Sequence, residues 1–367
     1  MRALRATRFL AYLTALASIA LAATAAPAGA GNDRTNVYTL TNSSSGNAVA
    51  IFDRSANGTL TPAGTVPTGG LGTGAGLGSQ NALVLSDNGN RLFAVNAGDN
   101  TISAFRVNAS GLVLLGAPVT SGGSSPISLS VHGNILYVLN AGAPANITGF
   151  RVEHGGLVPI AGSTRPLSGP SVGPAEVQFS PDGKLLVVTE RNTNLIDTYV
   201  VGHGLATGPN SQPSAAATPF GFAFDSRGRL VVSDAVGGAP AASGLSSYEV
   251  SKAGALSAVT PFLGDTQTAA CWVVVTKDGR FAYTTNTGSN SISTYRIDKD
   301  GSLSLRSPVG GATGPTPIDE ALSRDSRYLY ALTSGAIDAF RVGGDGSLSP
   351  IAGAGGLPAG TVGLAAR

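Results

Sequence analysis

Pro174-Ala175-Glu176-Val177-Gln178-Phe179-Ser180-Pro181-Asp182-Gly183-Lys184-Leu185-Leu186-Val187-Val188-Thr189 reads as two short strands joined by a tight turn. The first strand alternates and the second is a continuous apolar run. Between them Pro181 presets φ and Gly183 supplies a positive φ. A polar loop, Arg191 to Asn194, leads to a third strand, Leu195-Ile196-Asp197-Thr198-Tyr199, and a glycine-containing turn leads to a fourth around Leu205. We call these strands a, b, c and d.

The third strand recurs along the whole chain. Its closing aromatics are Phe52, Phe105, Phe150, Tyr199, Tyr248, Tyr295 and Phe340. They are spaced by about 45–53 residues, the period of a propeller blade. Asp-Gly and Asn-Gly steps mark the a–b and c–d hairpins within the units. The first unit lacks strand a and begins at strand b, Asn36-Val37-Tyr38-Thr39-Leu40. The tail Thr361-Val362-Gly363-Leu364-Ala365 supplies an extra apolar piece. The reading is an all-β, seven-bladed β-propeller of four-stranded antiparallel blades, closed by the C-terminal strand joining the first blade. An open sandwich or two separate domains is the alternative; no Pro-rich or charged linker interrupts the period to favour it.

Residues 1–30 read as a secretory signal peptide: Arg2, Arg5 and Arg8, then an apolar run from Phe9 to Ala23, then small residues. An uncleaved anchor is the alternative. Residues 31–367 form the propeller domain, with no other run long enough to span a membrane. The expectation is a secreted or periplasmic monomer. The only cysteine, Cys271, allows no internal disulfide, so core packing and ring closure must hold the fold. Charged residues are 12% of the chain and the net charge is +2. With no basic run, nucleic acid is not an expected partner.

In a propeller the d–a and b–c loops share one face and the a–b and c–d hairpins share the other. The d–a loops here are long and individual: Pro67 to Ser79, Gly162 to Gly173, Asn210 to Thr218, Gly264 to Ala269 and Gly310 to Thr316. Binding residues concentrate on such loops. The strand-a starts on that face give Asn81, Ser128, Glu176, Gly221, Cys271, Trp272, Asp319 and Glu320. The strand-b ends give Asn96, Asn140, Glu190, Arg191, Asp234, Asn286 and Thr333. We read Glu176, Glu190 and Arg191 as candidate catalytic residues. Asn81, Asn96, Asn140, Asp234, Trp272, Asn286 and Asp319 are candidate binding residues for a small molecule or glycan at the channel mouth. Each has a plainer reading. The asparagines can satisfy loop backbone groups, Arg191 can bridge the glutamates, and Trp272 and Cys271 can be packing residues.

His132, His154 and His203 all fall in hairpins of the opposite face, which argues against a histidine-based triad or zinc site at the mouth. No cofactor is required by the sequence. Carboxylates and amides could hold Ca²⁺ or Mg²⁺, but no metal ligand set is assigned.

The segments 174–190 and 272–286, with Asp325-Ser326-Arg327-Tyr328-Leu329-Tyr330-Ala331-Leu332, make the chain resemble the bacterial lactonase-like β-propellers, the group related to 6-phosphogluconolactonase and carboxymuconate cyclase. The resemblance implies a seven-bladed propeller and lactone hydrolysis or formation at the channel mouth. The enzymes of that group carry a histidine in a segment leading into a strand a; Ser171-Val172-Gly173-Pro174 has none, and the exported branch is the better match. The expected function is a secreted lactonase-like hydrolase acting on a lactone or related cyclic ester. The alternative is a non-catalytic envelope binding or scaffold propeller. A metal-assisted lyase ranks last, because the mouth lacks a histidine base.

Overall fold

Strand b is the most apolar part of each unit, and its placement explains why. In Leu185–Glu190 every residue is buried, as is every residue of Asn36–Leu40 and Phe281–Asn286. Each lies between strands a and c of its own sheet, and both its faces meet neighbouring blades, so an unbroken apolar run is the stable choice. In the outer strands the pattern relaxes; Leu60–Pro67 is exposed along most of its length.

The computed structural model describes residues 35–367; the segment read as a signal peptide lies outside the described residues. Seven antiparallel sheets follow in chain order. Blade 4 has the boundaries expected of it, with strands Pro174–Phe179, Leu185–Glu190, Leu195–Gly202 and Leu205–Pro213. All seven closing aromatics of the c strands are buried. The core is a ring of layers between blades. One layer joins Leu40, Phe93 and Leu136 of blades 1–3, and another joins Val187, Phe222 and Tyr295 of blades 4–6.

The ring closes as the tail foretold. Val362–Ala366 pairs antiparallel with Asn36–Leu40, matching Val37 to Ala366 and Thr39 to Leu364. The register slips by one residue at Gly363, whose φ is +71° and where a Cβ would come 3.0 Å from the Leu83 backbone nitrogen. Only glycine fits such a bulge without strain.

Strand d departs from expectation in several blades. Asn210 and Gly310, read as loop, fall inside the long strands Leu205–Pro213 and Leu303–Ala312. In blade 2 strand d breaks after Leu114 and resumes at Val119–Thr120. Gly116 and Pro118 fill the gap, and proline has no N–H for the ladder. In blade 3 the break comes after Pro159, and Arg165–Pro166 resumes the pairing inside what was read as loop.

The a–b turns of blades 4, 6 and 7 share one hydrogen-bond pattern. Asp182 accepts from the Ser180 hydroxyl at 2.7 Å and from the Lys184 amide at 3.2 Å. Thr276 with Asp278 and Ser323 with Asp325 repeat the hydroxyl contact. A second repeated staple sits on the other face. Asn100, Asn194 and Asn290, each with positive φ just before strand c, accept from the backbone N–H of Ser125, Thr218 and Thr316. This ties each b–c loop to the following d–a connection.

Candidate functional site

The axis is stoppered near the d–a face by residues 78–81. Gln80 reaches across to blade 6, where its side-chain amide donates to Val273 O at 2.9 Å and accepts from Val273 N at 3.1 Å. Its own N–H donates to Ala175 O of blade 4. Trp272 donates its indole N–H to Ser79 O at 2.9 Å. Gln80 was not singled out in the sequence, because this contact joins residues 193 positions apart.

Glu176 lies in this layer. Its Oε1 accepts from Asn81 Nδ2 at 2.6 Å and its Oε2 from the Phe222 N–H at 2.6 Å. It is fully buried, and burial pushes its carboxyl well above the usual carboxylate range, with the charge of Asp319 adding to the rise. Asp319 and Glu320 are buried as well and raised for the same first reason. Asp319 Oδ1 accepts its neighbour's N–H, while Asp319 Oδ2 and both Glu320 oxygens have no hydrogen-bond partner among the described residues. The three acids do not form a cation cage: no group of three or more His, Cys, Asp or Glu among the described residues could hold a metal ion.

The strand-b ends face their own c strands. Asn96 donates to Thr101 and Ser103, and Asn286 donates to Ser291 and Ser293. Asn140 donates to Asn146 and to Ser121 O. Asp234 stands at the same point of blade 5, beside Ser246 and Ser214; burial raises its pKa to about 8. In blade 4 the pair becomes Glu190 with Asp197. Glu190 accepts from the Ser168 N–H at 3.0 Å, the Ser168 hydroxyl at 2.5 Å and the Thr193 hydroxyl at 2.6 Å. Asp197 is raised to about 7, first by burial and then by Glu190 beside it. These contacts fasten each blade at its d–a edge. The signal that could have found them is a polar residue at the end of strand b matched by one at the first or third position of strand c.

Arg191 is different. It forms no ion pair with Glu176 or Glu190, and no carboxylate of the described residues lies within 4.0 Å of it. Its Nε donates to Gly173 O, and its guanidinium lies 5.1 Å from the centroid of the Phe220 ring. Phe220 packs at 5.0 Å on Trp272, in an apolar cluster with Ala175 and Cys271. Gly78 faces the guanidinium so closely that a Cβ would sit 3.1 Å from Nη1. Groups from blades 4, 5 and 6 and the stopper thus converge on one cation. Its partial burial pulls the Arg191 pKa below the usual arginine value. Cys271 beside it is no thiolate, since burial pushes its pKa up to about 11. The three histidines lie in the opposite-face hairpins, as expected.

Residues 242–354 match the family described as Lactonase, 7-bladed beta-propeller. The resemblance carried by the blade motifs is therefore met. No curated protein sequence matches the chain. Among solved structures, the periplasmic gluconolactonase of Pseudomonas aeruginosa is 18% identical, with a TM-score of 0.66 over 90% of this chain and 99% of that one. A 6-phosphogluconolactonase candidate from Bacteroides fragilis is 18% identical, with a TM-score of 0.69 over 91% and 98%. A functionally unknown protein from Desulfotomaculum acetoxidans is 14% identical, with a TM-score of 0.70 over 91% and 99%. At these identities the likeness is one of fold.

Proposed function

We propose that this lactonase-like propeller is an exported lactonase-type hydrolase that opens a lactone or related cyclic ester above the axial stopper. The observation that carries this reading is Arg191, a half-buried guanidinium laid on an aromatic ring and without an acidic partner among the described residues. A cation in that setting suits an oxygen that gains negative charge during reaction. The family match over residues 242–354 supports the reaction class. The leader-like first thirty residues support export, and no helix of the described residues is long and apolar enough to cross a membrane.

The chemistry assigns one role to each group. The lactone carbonyl faces Arg191, and the ring lies against Phe220 and Trp272. Glu176 takes a proton from the attacking water in its carboxylate form. Arg191 steadies the tetrahedral oxyanion. When the ring C–O bond breaks, Glu176 returns the proton to the leaving oxygen, and a hydroxy acid departs. Because burial favours the protonated form of Glu176, turnover should rise with pH as the carboxylate forms.

The test is a panel of γ- and δ-lactones, assayed with wild type, Arg191→Gln and Glu176→Gln, each checked for an unchanged melting temperature. Arg191→Gln should lower kcat/KM by about 10²–10³. Glu176→Gln should abolish turnover and with it the alkaline rise. Unchanged activity in Glu176→Gln removes that residue from the mechanism. A second reading, a non-catalytic envelope protein holding a glycan on the same face, is favoured by one observation: both Glu176 oxygens are already hydrogen-bonded in a buried site. It predicts no turnover on any lactone while Arg191→Gln still weakens ligand retention.

A further inference from the structure

Below the stopper the axis opens again, toward the opposite face. A cavity of about 750 Å³ runs from Asn81 to the a–b hairpins, within the range typical of small-molecule sites. Strand a of blade 2, Leu83–Leu85, rises about 3.3 Å per residue, so Asn81 and Leu85 are at most roughly 13 Å apart along the axis.

The lining has a chemical gradient. At the inner end Asn81 has committed its Nδ2 to Glu176 and its backbone carbonyl to the Leu129 N–H, while its side-chain Oδ1 accepts no hydrogen bond among the described residues. On the side wall Gln178 Oε1 is buried and also lacks a hydrogen-bond partner among the described residues. Two unfilled acceptors, of which Gln178 Oε1 is buried, call for donors on the occupant. The apolar parts of the wall include Leu83, Leu129 and Leu364. At the rim stands Lys277, exposed and without a carboxylate within 4.0 Å among the described residues. His132 shares that rim, 3.9 Å from Asp87.

We infer that this cavity binds a hydroxylated carboxylic acid, with its hydroxyl donated inward to Gln178 or Asn81, its carbon chain along the leucines and its carboxylate beside Lys277. The site lies on the face opposite Arg191, and its existence does not depend on turnover there. No bond is made or broken in it.

Isothermal titration of the mature chain with 10-hydroxydecanoate and with decanoate tests the inference. The expected result is one 10-hydroxydecanoate bound per chain, at least tenfold tighter than decanoate. Lys277→Glu, on an exposed position that does not threaten folding, should weaken 10-hydroxydecanoate at least tenfold. Gln178→Leu should bring the two probes to within about twofold of each other. Absence of binding overturns the inference. So does equal affinity for the two probes in wild type, and so does an affinity unmoved by Lys277→Glu. Lactone turnover measured on the same samples stands apart, because none of these substitutions touches Arg191 or Glu176.

Discussion

The polar residues at the blade ends divide by what they touch. Asn286 spends its amide on Ser291 and Ser293 of its own blade, whereas Arg191 spends most of its guanidinium on no acidic group of the described residues. The two should therefore fail in opposite ways. Asn286→Ala should cost about 1–3 kcal/mol of stability by removing two buried hydrogen bonds, seen as a lower urea midpoint, with kcat/KM of the folded fraction unchanged. Arg191→Gln should leave the midpoint alone and depress kcat/KM. The sequence placed both at the ends of b strands and could not separate them. The difference lies in the matching polar residues of strand c, which are visible in the sequence only once the blades are laid over one another. The stopper was beyond reach in a different way. Gln80 looks like any loop glutamine until the ring brings blade 6 opposite it, and no local pattern records a contact across the axis.

Among the elements, the first three strands of each blade were legible because each answers a local demand: two buried faces for b, a buried closing aromatic for c, and a proline or glycine turn between a and b. Strand d was less legible, since it faces solvent along one side and its ladder stops wherever a Pro118 or a Gly116 falls. The closing strand is the strongest test of the architecture. Val362 and Leu364 are buried, and Thr39 donates its hydroxyl to Val362 O at 3.2 Å. Leu364→Ala should cost about 2–5 kcal/mol, read from chemical denaturation. Removing residues 361–367 should do more, since it bares the edge of Asn36–Leu40 and the wall of the axial cavity. We expect that truncation to yield protein that aggregates or unfolds over a broad, uncooperative transition. A sharp wild-type-like transition would show that the ring does not depend on its closure.

Over the whole molecule, charge is sorted by depth, and the sorting sets how stability follows pH. Asp197 and Asp234 are buried in the blade ends and raised to about 7 and about 8 by that burial. Asp182, Asp300 and Asp345 sit in the hairpins of the other face and are lowered, first by hydrogen bonds from Ser180, Ser302 and Ser347. The two sets act in opposite senses. For the buried acids the folded state holds protons that the unfolded chain releases near pH 4, so stability falls as pH rises from about 4 through 7 or 8. For the hairpin acids the folded state resists protonation, so their contribution is present above about pH 4 and is lost below it. The melting temperature should therefore peak at about pH 4 and decline toward pH 8.5. Asp234→Asn supplies in blade 5 the neutral group that Asn96, Asn140 and Asn286 supply in their own blades. It should flatten the alkaline decline while leaving the acid limb in place, because the hairpin carboxylates are untouched. An alkaline limb as steep in Asp234→Asn as in the wild type would mean that Asp234 takes up no proton on folding and that the decline belongs to other buried acids.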